Sequence, residues 1–62
     1  MKKNVLVNDG QNGFFGETKA ETEKGYIQAA RRLWPYTGLT RLRVKVLADD
    51  NQIIFETVID LA

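Results

Sequence analysis

The sequence predicts a small α+β domain of order β-β-α-β-β, with a four-stranded, mainly antiparallel sheet and one helix packed on one of its faces. Three observations predict it. Two short apolar runs near the N-terminus are separated by turn dipeptides, one helical stripe occupies the middle, and two strand-like segments flank a polar turn near the C-terminus.

Val5-Leu6-Val7 is a β-branched and aliphatic run that stops at Asn8-Asp9-Gly10-Gln11-Asn12-Gly13. That stretch holds an Asp-Gly and an Asn-Gly dipeptide, which supply the positive φ that a hairpin turn requires. Phe14 to Ala20 then reads as a second strand, and Gly16 within it marks a bulge or a close backbone approach. Thr18-x-x-Glu21 has the form of a capping box, but apolar periodicity begins only at Tyr26, so Thr22 is the expected N-cap.

From Thr22 the spacing is helical. Tyr26, Ile27, Ala30, Leu33 and Trp34 form one apolar stripe, with Lys24, Gln28, Arg31 and Arg32 on the other side. Arg31 and Arg32 sit near the negative end of the helix dipole. Gly25 is a weak point, costing up to ~1 kcal/mol against Ala in a helix interior. Pro35 disfavours helical geometry at Trp34 and Gly38 completes the exit turn, so the helix ends there.

In the last third, Leu42, Val44 and Val46 alternate with Arg41, Arg43 and Lys45, giving one apolar and one basic face. Asp49-Asp50-Asn51-Gln52 supplies the turn, and Ile53 to Leu61 the final strand. A tip at Asp50-Asn51 sets Val46 opposite Phe55, Val44 opposite Thr57 and Leu42 opposite Ile59. On the other face the same register sets Lys45 against Glu56, Arg41 against Asp60, Arg43 against Val58 and Leu47 against Ile54. Hydrophobic pattern and charge therefore select one register. The expected core packs Ile27, Ala30, Leu33 and Trp34 on Leu42, Val44, Val46, Phe55 and Ile59. The strand order is 2-1-3-4 or 2-1-4-3, and the pattern does not choose between them.

Sixty-two residues make a single domain, 1–62, that buries only about 60% of the surface its unfolded chain exposes. The sequence contains neither Cys nor His, so disulfides and thiolate or imidazole metal sites are excluded, and so are the commonest general base and thiol nucleophile. Glu56 and Asp60 share a strand face but lie roughly 13 Å apart, too far to act as paired carboxylates. Asp49-Asp50-Asn51 lacks the layout of a calcium loop. Gly10-x-x-Gly13-x-x-Gly16 falls in a hairpin rather than before a helix, so it is not a phosphate loop. No enzymatic activity, cofactor or metal is expected.

Nine basic and eight acidic residues leave a net charge of +1, which generates no strong field toward nucleic acid or anionic membrane. No apolar run is long enough for a secretory signal or a membrane span, and the cysteine-free composition fits a cytoplasmic protein. The leading expectation is a non-enzymatic protein-interaction module, an accessory or inhibitor protein or a homodimer. Its surface is the outer sheet face centred on Leu47, Ile54 and Val58 and flanked by Arg43, Lys45 and Glu56, with Phe14 or Phe15 also turned outward. A sheet edge offers a second route, by strand addition. The alternative is nucleic-acid binding by Arg41, Arg43 and Lys45 with an exposed aromatic.

Overall fold

The computed structural model describes residues 2–38 and 40–61. The elements run β1 (Lys3–Asn8), β2 (Gly13–Thr18), α1 (Glu23–Leu33), β3 (Thr40–Leu47) and β4 (Ile53–Leu61), and the sheet order is β2-β1-β3-β4. Every neighbouring pair is antiparallel. The crossover through α1 thus carries β3 to the side of β1, which decides between the two orders the sequence left open.

Asp9 organises the first hairpin. Its Oδ1 accepts hydrogen bonds from the backbone N–H of Asn12 at 2.7 Å and of Gln11 at 2.9 Å, an Asx-type closure of the loop. Those donors, Asn12 foremost, hold the Asp9 carboxyl below its ordinary pKa. The β1–β2 register then runs without a bulge from Asn8↔Gly13 to Lys3↔Thr18. Gly16 is therefore a point of close approach and not an irregularity.

Thr22 caps α1 as the sequence indicates: its Oγ1 accepts from the Gly25 N–H at 3.1 Å. The helix ends at Trp34, whose extended backbone follows from Pro35 and whose N–H still reaches the Ala30 carbonyl at 3.2 Å. Gly25 is not simply a weak point. A Cβ there would lie 2.7 Å from the Ala20 Cβ, so the chain entering the helix passes too close for any side chain.

The core comprises Val5, Val7, Tyr26, Ala30, Trp34, Leu42, Val44 and Val46, with Phe14, Ala20, Ala29, Leu33, Phe55, Ile59 and Leu61 packed around it. Ile27 departs from the expected core. It is half-buried beside Glu23, Lys24, Gln28 and Arg31 on the outer side of α1. Tyr26 and Ile27 are adjacent, so a helical period accommodates either as the first core position. The structure takes Tyr26, whose ring meets Phe55 at 5.4 Å, and so rotates the stripe to Tyr26, Ala29, Ala30, Leu33 and Trp34. Phe14 stacks edge-on against Trp34 at 5.5 Å, and Tyr36 closes the group at 5.3 Å from Trp34.

The C-terminal hairpin keeps the expected register from Val46↔Phe55 to Arg41↔Asp60. Its tip differs. The Asn51 N–H donates to the Ala48 carbonyl at 2.9 Å, which centres the turn on Asp49-Asp50, and Asn51 takes a left-handed conformation with φ 67°. Asn is among the residues that tolerate that region best. The register then shifts between Val46 and Leu47, so Leu47 faces Ile53 rather than Ile54. The bulge absorbs the one-residue difference between the turn used and the turn expected.

Candidate interaction surface

Helix α1 covers one face of the sheet, lying over β1, β2 and β3. The opposite face carries Asn4, Leu6 and Asn8 from β1, and Phe15 and Glu17 from β2. It also carries Arg41, Arg43, Lys45 and Leu47 from β3, and Ile54, Glu56, Val58 and Asp60 from β4. All six residues expected at the interaction surface lie on this face. Ile54 and Val58 are 46% and 51% exposed, Arg43 and Glu56 are exposed, and Leu47 and Lys45 are half-buried.

Phe14 turns inward to Trp34, and Phe15 turns outward, where it is 79% exposed. Registers on the two sides of β1 set Leu6 opposite both Phe15 and Lys45. An apolar band therefore runs obliquely from Phe15 to its partner Leu6, then by a diagonal step to Leu47, whose direct β1 partner is Asn4, and on to Ile53 and the adjoining Ile54. Sequence reasoning missed the Leu6 end of this band. The signal was present, because Val5 and Val7 both point to the core and alternation forces Leu6 outward. Val58 is set apart from the band by Glu56 and instead faces Arg43.

Charge on this face is mostly neutralised locally. Lys45 Nζ lies 3.6 Å from Glu56 Oε2, Arg41 Nε lies 3.3 Å from Asp60 Oδ1, and Lys2 Nζ lies 3.6 Å from Glu17 Oε2. Exposed pairs of this kind contribute about 0–1 kcal/mol each, so they favour one register more than they stabilise the fold. Arg43 makes no ion pair among the described residues. Its cross-strand neighbours are Asn8 and Val58. With Lys45, Glu56 and Val58 it borders a shallow depression in the face.

Among the described residues no cluster of acidic side chains gathers in a form that could hold a metal ion, and no helix is long and apolar enough to cross a membrane. Comparison with protein-family models, curated proteins and solved structures finds no match to this chain.

Proposed function

We propose that this chain is a non-enzymatic protein-interaction module of the cytoplasm, acting as an accessory or inhibitor protein through its outer sheet face. One observation carries the reading: an apolar band containing a 79% exposed phenylalanine crosses the face that α1 leaves open. Exposed apolar clusters rimmed by charge are characteristic of protein contacts, and aromatic residues dominate the energy of such contacts. Leu47, Ile54 and Val58 belong to this surface with Leu6 and Phe15, while Arg43, Lys45 and Glu56 supply its polar component. The cysteine-free composition suits a reducing compartment.

Phe15→Glu tests the reading. Affinity capture from the native host, followed by mass spectrometry, is expected to recover a protein with the wild-type chain and to lose it with the variant. A partner recovered equally by both would refute it.

A second reading, nucleic-acid binding, draws support from Phe15 lying on the same face as Arg41, Arg43 and Lys45. Against it, Arg41 and Lys45 are each matched by a carboxylate. Affinity that falls steeply between ~50 and ~200 mM salt and is lost in Arg43→Ala would favour this alternative.

A further inference from the structure

Strand β4 is an edge of the sheet and, at nine residues, its longest strand. It carries incompletely covered apolar side chains on both faces. On the outer side Ile54 and Val58 are exposed, as is Ile53 at its start. On the inner side Phe55, Thr57, Ile59 and Leu61 are only half-buried, whereas the residues opposite the first three, Val46, Val44 and Leu42, are 0% exposed. The cause is the position of α1, which lies over the other three strands and meets β4 through the Tyr26–Phe55 ring contact. The core is thus left open along β4.

Edge strands are normally blunted by shortness, by proline or by inward-pointing charge. Strand β4 has no Pro, Lys or Arg, and Glu56 and Asp60 both point to the outer face. The other edge, β2, is shorter, contains Gly13 and Gly16, and has its inner Phe14 covered by Trp34 and Tyr36. Of the two edges, β4 therefore combines length with an unfinished core, and beyond the bulge at Ile53-Ile54 its pairing with β3 is regular from Phe55 to Leu61.

We propose that β4 pairs with β4 of a second copy of this chain, antiparallel about a two-fold axis through Thr57, to form one continuous sheet. This inference rests on the β4 edge and not on the outer-face reading above. For the inner faces to continue across the junction, odd-numbered residues must lie opposite odd-numbered ones. The registers that keep most of β4 paired then place the axis at Glu56, Thr57 or Val58. An axis at Glu56 sets that carboxylate against its own copy, and one at Val58 sets it against Asp60 of the second copy. Like charges directly opposite are destabilising. The Thr57 axis avoids both oppositions, since it sets Glu56 against Val58 and Asp60 against Ile54. It also centres the junction on Phe55 to Ile59, the stretch clear of the bulge, and puts Phe55 against Ile59 on the inner side, where each is only half-buried. Charge and apolar matching select the same axis.

Sedimentation equilibrium up to ~0.5 mM, together with a cysteine scan, tests the proposal. The expected result is a wild-type dimer that Thr57→Lys converts to a folded monomer, because two ammonium groups would meet at the axis. Since the chain has no cysteine of its own, Thr57→Cys reports the register directly. It should form a covalent dimer at least ~10-fold faster than Glu56→Cys or Val58→Cys, whose Cα atoms would sit about 8 Å apart across this axis, beyond disulfide reach. If Thr57→Lys does not fold, the cysteine scan alone decides. A wild-type monomer at ~0.5 mM, a dimer that survives Thr57→Lys but is lost in Phe15→Glu, or fastest cross-linking at position 56 or 58 would each overturn the proposal.

Discussion

Gly16 and Leu33 are fitted to one another: a Cβ on Gly16 would fall 2.6 Å from Leu33 Cδ2 and 3.4 Å from its Cγ. The bare backbone of β2 at Gly16 therefore receives Leu33, the last residue of α1. Gly16→Ala is expected to destabilise the fold by about 0.5–1.5 kcal/mol, because the new methyl group pushes the end of the half-buried Leu33 side chain off its rotamer. In a Leu33→Ala background the same change should cost much less. Urea denaturation of the wild type, both single variants and the double variant measures the coupling. Additive effects would show that the two residues do not constrain each other.

Gly25 makes a test of opposite sign to helix propensity. Propensity alone predicts that Gly25→Ala stabilises α1 by up to ~1 kcal/mol. The Ala20 Cβ, 2.7 Å from the new methyl group, cannot move without its backbone. Thermal denaturation should therefore show Gly25→Ala to be less stable than wild type. An increase in Tm would mean that the entry to the helix relaxes freely.

Core and helix surface should separate cleanly under truncation. Leu42 is 0% exposed, so Leu42→Ala is expected to cost about 2–5 kcal/mol, much of the stability of a domain this small. Ile27, on the outer side of α1, should lose no more than about 1 kcal/mol on change to Ala. Chemical denaturation of the two variants checks the rotation of the helix stripe, and comparable losses would contradict it.

Asp9 gives the fold a dependence on acid. Its pKa is depressed in the folded state by the Asn12 and Gln11 N–H groups. Stability from this group is therefore complete above the unfolded carboxylate pKa and is lost as pH falls through the folded value. Asp9→Ala should unfold more readily at neutral pH and show a shallower loss of stability on acidification. Melting curves of both proteins from neutral to acid pH measure this, and parallel curves would remove Asp9 from the account.

The parts of this fold that could be read in the sequence are those where two independent signals coincide. Between Leu42 and Ile59 the apolar alternation and the Lys45–Glu56 and Arg41–Asp60 pairs demand one register, and the structure has it. Beyond Val46 the signals stop. Leu47, Ile53 and Ile54 are all apolar, so either isoleucine satisfies the pattern, and the choice falls to the left-handed Asn51 and the turn it closes. Ile27 was misplaced for a related reason, since a helical period cannot separate two adjacent apolar residues. The interaction face was legible through β3 and β4, whose charges alternate with apolar residues. In its β1–β2 half, alternation with Val5 and Val7 marks Leu6 as outward-facing, but the choice between Phe14 and Phe15 was not legible, because it depends on how the first hairpin closes.

The central placement of β3 has a consequence for how the chain reaches this structure. Each hairpin closes over a short loop, but the ladder that unites them pairs Asn4 with Leu47 and Asn8 with Arg43, across the whole of α1. Closing so long a segment costs chain entropy that local pairing does not. The β3–β4 hairpin is therefore expected to be largely formed at the rate-limiting barrier, with the β1–β3 ladder completed after it. Truncations in β3 or β4 should slow folding, whereas those in β2 should chiefly speed unfolding. A protein so built exposes its long apolar C-terminal strand in the ensemble that precedes the barrier, and newly made chains would meet one another there before the helix has docked.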